Sequence, residues 1–362
     1  MNKSISISAT TFSSQILSWF DHQGRKSLPW QQNKTPYRVW VSEIMLQQTQ
    51  VSTVIPYFQR FVEKFPDVAA LANAPEDEVL HIWTGLGYYS RARNLHKTAR
   101  IIVSEYNSIF PDDIERLQLL PGIGLSTAGA IIAIAFQKKA TILDGNVKRV
   151  LTRFQGINEW PGEKKTLQTL WSLAEKYTPT TRIADYTQAI MDIGATICTR
   201  GKPRCHVCPI KTHCVAFHQN LQSEIPKSKP KTKIPTRYAT LFIFMNHHQT
   251  ILLEKRPSTG IWGGLWSLPQ ENEWLNTDEI KHRATQQFPF AIQKIERLQT
   301  FRHTFSHFHL EILPVLIRVK ENRKRKVMAA DSHIWYNLQS PEQIGLPAPV
   351  KKLLMEILTC PA

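Results

Sequence analysis

The chain has 362 residues, 42% of them hydrophobic, and a formal net charge of +16. That length supports two or three domains with real cores. The longest apolar run, Ala128 to Phe136, falls far short of the roughly 20 residues of a membrane span, and the opening MNKSISISATTF lacks the apolar core of a secretory signal, so membrane-spanning and secreted classes are set aside, a cytoplasmic location is expected, and the charge points to a polyanion, nucleic acid first.

Residues 11 to 220 read as mostly helical. Apolar residues recur at three- and four-residue spacing in Trp40–Ile44, Val51–Val54–Phe58 and Val79–Ile82–Trp83. Short turns, TGLG at 84–87, LPGIG at 120–124 and WPG at 160–162, separate the segments. The first chemistry-bearing stretch is SEIMLQQTQV at 42–51, which holds one carboxylate, Glu43, and no cation to pair with it. As a plain helix residue, Glu43 shares a polar face with Gln47 and Gln50.

LLPGIGLSTAG at 119–129 places Pro121, Gly122 and Gly124 between two helices. These residues permit a tight turn. Ser126 and Thr127 are candidate caps for the following helix. Backbone N–H groups at such a turn and helix start make a sequence-blind phosphate site. Twenty residues after Gly124, Asp144 opens ILDGNVKRV. It is expected to cap a helix by accepting from the N–H of Asn146 or Val147, and to be stabilised there as the anion.

Cys198, Cys205, Cys208 and Cys214 follow with the spacing C-x6-C-x2-C-x5-C. A disulfide framework does not suit a cytoplasmic chain. Zinc is open, since His206 and His213 are possible substitutes. A [4Fe–4S] cluster held by four thiolates of one compact loop is equally open. The loop's Arg200, Lys202, Arg204 and Lys211 either balance thiolate charge or meet phosphates. Cys360 stands apart and needs no role.

Ser223 to Arg237 holds three prolines and five basic residues, and reads as an extended linker that packs no core. Beyond it ATLFIFM and TILLEKR flank NHHQ as a hairpin. Phe305 to Val319 is strand-like and APVKKLLMEIL is a helix. The predicted fold class is therefore multidomain: an all-α region at 1–222, a linker at 223–237, and a small α+β domain at 238–362.

Together, LPGIG, the downstream aspartate and the cysteine loop resemble the helix-hairpin-helix DNA glycosylases of the endonuclease III type, with the hairpin at about 112–137. SEIMLQQTQV, WTGLGYYSRARNLHK, ILDGNVKRV and FRHTFSHFHL narrow the resemblance to the adenine-specific MutY type. It covers roughly residues 11 to 355. It implies a monofunctional enzyme of base excision repair that flips adenine out of mispairs with 8-oxoguanine or guanine in double-stranded DNA. It also implies a [4Fe–4S] cluster on the four cysteines and a C-terminal domain of Nudix-like fold.

The resemblance assigns Glu43 as the acid that protonates adenine at N7, and Asp144 as the anion that stabilises the sugar cation. Gln48 and Tyr88 match positions that probe the helix beside the oxidised base. Asn146 lies near the flipped nucleotide, and Phe305, Ser306 and His307 match the loop that reads 8-oxoguanine. Arg91, Arg93, Lys148 and Arg149 are candidate phosphate contacts.

Two departures qualify the match. Where bifunctional relatives carry a nucleophilic lysine in the hairpin, this chain has Ser126, which forms no Schiff base. Lys148 is near enough in sequence to trap an abasic site adventitiously. After WGGLWSLPQENEW the metal-binding REx2EE helix of Nudix hydrolases is replaced by DEIKHRATQQF. A monomer is expected. The competing readings are an endonuclease III-like glycosylase–lyase acting on oxidised pyrimidines, and a non-enzymatic iron–sulfur DNA-binding regulator.

Overall fold

The computed structural model describes residues 7–230, 233–288, 290–320 and 332–359. Cys360 and two residues of the linker, Lys231 and Thr232, lie outside the described residues. In chain order the helices are α1 (Ala9–Gln23), α2 (Pro36–Leu46), α3 (Val51–Lys64), α4 (Val68–Asn73), α5 (Glu76–Trp83), α6 (Ser90–Glu105), α7 (Ile114–Gln118), α8 (Leu125–Ala135), α9 (Gly145–Gln155), α10 (Lys164–Tyr177), α11 (Ile183–Asp192) and α12 (Val215–His218). A π-helical turn at Ile193–Ile197 continues α11 into the cysteine loop. Strands β1 (Thr236–Met245), β2 (Thr250–Lys255), β3 (Trp266–Ser267) and β4 (Gln270–Glu271) then precede α13 (Thr277–Gln287). Strands β5 (Ala291–Arg297), β6 (Phe301–Thr304), β7 (His309–Lys320) and β8 (His333–Asn337) precede α14 (Ala348–Thr359).

Contacts divide the chain into two compact units, 1–73 with 94–231 and 74–93 with 232–362. In the first, α8 is the central element. From Thr127 to Ile134 every residue is buried, as expected for a helix that is apolar on all sides. Helices α2, α7 and α11 pack on it. Gly129 makes one approach possible: a Cβ there would stand 2.2 Å from the Thr141 carbonyl oxygen. Helix α2 starts cleanly because Thr35 accepts from the Arg38 N–H at 3.2 Å and Pro36 opens its first turn.

The second unit carries an eight-stranded sheet in the order β3-β2-β1-β7-β5, with β4, β6 and β8 paired off this path. Strands β1 and β7 run parallel at its centre, and β1 and β2 form the expected hairpin. Both faces of β1 are buried from Ala239 onward, so its sequence reads as one apolar run rather than an alternation. Phe242 and Phe244 of β1 and Leu313, Val315, Ile317 and Val319 of β7 meet Ile280 and Ala284 of α13 in one core. Asn276 and Glu279 begin α13 with a capping box. Among the described residues no helix is long and apolar enough to cross a membrane.

Candidate active site

Helix α2 buries Tyr37, Val39, Trp40, Val41, Ile44 and Met45. Glu43 projects from among them and is only partly exposed. No protein group among the described residues hydrogen-bonds its carboxyl. Burial first, and then the negative charge of Asp144, push that carboxyl up to about 8. An acid here keeps its proton at neutral pH, unlike a carboxylate on a solvated helix face.

Asp144 caps α9 as expected, accepting from the Val147 N–H at 2.8 Å. Its anion is less favoured than the helix-end reading implied. Burial raises the carboxyl and outweighs the N–H groups of Val147 and Asn146, the Asn146 side chain and the Arg149 charge, all of which pull it down. The two carboxyls still differ in kind. Asp144 has donors that hold a negative charge, whereas Glu43 has none and feels Asp144 as a repelling anion.

The orientation of Asp144 is set by a chain of side chains that sequence reading missed. The Asn146 Nδ2 donates to Asp144 Oδ2 at 3.0 Å, and the Asn146 Oδ1 accepts from Arg149 at 2.9 Å. The second bond fixes which end of the amide faces the carboxylate. Arg149 also donates to the carbonyls of Cys198 and Gly194, both at 2.6 Å. Helix α9 sits against the π-helical turn closely enough that a Cβ at Gly194 would fall 2.5 Å from the Asn146 Cβ. The cysteine loop and the Asp144 carboxylate are thus joined through one guanidinium.

The hairpin differs from expectation at its caps. Gly124 is the N-cap of α8 and no side chain caps the helix. Ser126 instead accepts from the Leu143 N–H at 3.0 Å, tying the hairpin to the residue before Asp144. Thr127 accepts from Gln47 at 3.5 Å. With no side-chain cap, first-turn N–H groups of α8 are left for an external acceptor. Gly122 has φ +81°, which favours glycine, and the Pro121 carbonyl accepts from Thr98 at 2.9 Å.

Cys198, Cys205, Cys208 and Cys214 line one small cavity of about 30 Å3. Among the described residues, no three His, Cys, Asp or Glu side chains are placed to share a single metal ion. Burial pushes the Cys208 thiol up to about 12 and the Cys214 thiol up to about 11, so bare thiols would hold their protons at neutral pH and a metal centre would displace them. Arg153 is buried and donates to Cys198 Sγ at 3.4 Å and to the Thr199 carbonyl at 2.7 Å. Its Nε reaches the Ile225 carbonyl at 2.7 Å. Ile225 is itself buried, so the head of the linker does pack, contrary to the reading of an unanchored spacer.

Residues 41–176 match the HhH-GPD superfamily of base excision DNA repair proteins, and residues 240–356 match the NUDIX domain. An adenine DNA glycosylase of Buchnera aphidicola (subspecies Baizongia pistaciae) is 42% identical over 352 residues, covering 96% of both chains. The chain belongs to the adenine DNA glycosylase family. The human adenine DNA glycosylase is 34% identical over 360 residues, spanning 83% of this chain and 66% of its own. A thermostable thymine-DNA glycosylase structure superposes with a TM-score of 0.53 at 29% identity, covering 58% of this chain and 97% of its own. The endonuclease III fold of a DNA complex matches with a TM-score of 0.51 at 22% identity, over 60% of this chain and all of that one.

In this adenine DNA glycosylase family member, the remaining sequence-selected residues fall in both units. Gln48 and Tyr88 are exposed and hold left-handed backbone conformations, φ +57° and +49°, each a cost of about 1–3 kcal/mol. Phe305, Ser306 and His307 form the turn between β6 and β7, closed by a bond from the Phe305 N–H to the Phe308 carbonyl at 2.9 Å. Phe305 stacks on Phe308 with ring centroids 4.5 Å apart, while Ser306 and His307 stay exposed. Three of the four proposed phosphate contacts are committed within the protein. Arg91 is buried and donates to the Leu86 and Gly87 carbonyls, Arg93 donates to the Gly263 carbonyl, and Arg149 serves the network above. Lys148 alone has no such bond.

Proposed function

We propose that the chain is a monofunctional adenine DNA glycosylase that removes adenine opposite 8-oxoguanine or guanine. One observation carries the reading: a buried acid, Glu43, pushed up to about 8 by burial and by the anion of Asp144. Such a pair, with affinities for the proton set apart by environment, suits cleavage of a glycosidic bond. Adenine is a poor leaving group until protonated. Glu43 donates its proton to N7 of the flipped base, and the electrons of the breaking C1′–N9 bond go to the base, which departs neutral. The sugar develops oxocarbenium character, and Asp144, held by Val147 and Asn146, sets a negative charge against it. Water then adds at C1′ to leave an abasic site.

Ser126 supports the monofunctional assignment. A hydroxyl that accepts from the Leu143 N–H offers no amine for an iminium, as the lyase reading requires. The four cysteines fit a [4Fe–4S] cluster better than one zinc ion, since they surround a shared space without converging on a point. When bound, the cluster supplies the bonds that shape the loop. The structure and family match support double-stranded DNA as the partner, with the hairpin and the exposed Gln48 and Tyr88 as contacts. Phe305 anchors the turn that presents Ser306 to the lesion. The test incubates duplexes carrying A:8-oxoguanine, A:G or thymine glycol, and measures released base before and after alkali. Release of adenine, with strand breaks appearing only after alkali, is expected. Release of thymine glycol with direct strand cleavage would establish the lyase instead.

A further inference from the structure

An open trough of about 390 Å3 lies beside the start of α9, and five cations line it with no carboxylate among its walls. Gly145 and Lys148 form one wall, Trp160 and Arg200 the next, and the head of the linker the last. Arg149 also borders the trough but is spent on internal carbonyls. The free charge therefore comes from Lys148, Arg200, Lys227 and Lys229. Lys229 lies 5.9 Å from the centre of the Trp160 ring, within cation–π range. Lys227 pairs with Glu224 at 3.6 Å in an exposed contact that holds it weakly.

The linker wall is not placed by chance. Arg153 grips the Ile225 carbonyl with the same guanidinium that holds the cysteine loop, and the Ile225 side chain is buried. The chain leaves that anchor pointed along the trough, so Lys227 and Lys229 follow within a few residues of a fixed root. We propose that the head of the linker is a DNA-binding element: Lys227 and Lys229, with Lys148 and Arg200, take consecutive backbone phosphates next to the nucleotide held at Asp144, and the Trp160 ring steadies Lys229. The linker thereby clamps the strand as well as spacing the two domains. This rests on the reading of the chain as a DNA glycosylase.

The test uses the full-length protein and a duplex in which a non-excisable 2′-fluoro-deoxyadenosine faces 8-oxoguanine, titrated by fluorescence anisotropy over a series of salt concentrations. Each phosphate contact contributes about 0.9 to the slope of log affinity against log salt. Lys227→Ala/Lys229→Ala should lower that slope by about 1 to 2, with the melting temperature of the wild type. Lys351→Ala/Lys352→Ala, the same charge removed from exposed positions of α14, should leave the slope within 0.3, roughly the error of such a fit. An unchanged slope in the linker variant, or an equal fall in the α14 variant, would overturn the proposal while wild-type binding left the glycosylase reading intact. Failure of the wild type to bind the duplex at all would sink both.

Discussion

At Glu43 the proposed mechanism turns on a single proton. Glu43→Gln is close in size and has no proton to give, so base release should fall by about 10²–10⁴-fold while duplex affinity holds. The wild-type rate should decline as pH rises through about 8, because the acid is lost on ionisation. Measured single-turnover rates from pH 6 to 9.5 check this, and a flat profile would remove Glu43 from the acid role. The same group links pH to stability. Its folded value is raised, so its contribution is complete below the ordinary value of 4.5 and is lost as pH climbs to about 8. Glu43→Gln should therefore melt at or above the wild type at pH 8.5, a site in which function costs stability. Asp144→Asn should keep α9, since Asn caps nearly as well, yet lose most excision because no anion faces the sugar. Unfolding of α9, read by circular dichroism, would mean the loss was structural.

Helix α9 and the cysteine loop show what a sequence makes legible and what it hides. The four cysteines announce themselves through residue type and spacing, whereas Glu43 and Asp144 stand out only through the motifs that carry the family resemblance. Arg149 does neither. Its partners are carbonyls at Gly194 and Cys198, 45 and 49 residues away, and carbonyls leave no mark in a sequence. Read as surface charge, Arg149, Arg91 and Arg93 are candidate phosphate ligands; in the structure each guanidinium also bonds main-chain carbonyls. The neighbourhood of Ser126 fits a cap, but the Leu143 N–H claims its hydroxyl. Arg149→Met should lower excision by about 10-fold or more, the worth of a hydrogen bond to a charged group. Binding of a non-excisable duplex should change by only a few-fold. If affinity fell as far as the rate, Arg149 would be a DNA contact after all.

Across the whole molecule, the residues proposed for chemistry and those proposed for lesion reading lie in different parts of the chain. The acid, the anion and the cysteines belong to the unit containing 94–231, and the Phe305–His307 turn to the unit containing 232–362. Guanine N7 accepts a hydrogen bond, whereas 8-oxoguanine carries a hydrogen there. Ser306→Ala/His307→Ala keeps Phe305 and thus the turn. It should reduce excision opposite 8-oxoguanine more than opposite guanine, by a factor of several for bonds worth roughly 0.5–1.5 kcal/mol each. A preserved ratio of the two single-turnover rates would place lesion reading elsewhere.

The grip of Arg153 on Ile225 has a consequence for protease digestion. Lys227, followed by Ser228, is an exposed tryptic site just past a root held by the same guanidinium as the cysteine loop, whereas Pro230 protects the bond after Lys229. Cleavage needs several residues to unfold into the protease cleft, so a fixed root slows it. Chelation or oxidation that dismantles the proposed metal centre of the loop should release Ile225 and hasten nicking after Lys227, before the helical core melts. A time course on gels, with and without chelator, would show a fragment of residues 1–227 accumulating faster in the treated sample. Equal nicking rates would mean that Ile225 is held independently of the cysteine loop. Faster nicking in the treated sample would instead make the connector a gauge of cofactor integrity: damage at the cysteines would be recorded as a cut in the peptide chain between the two units.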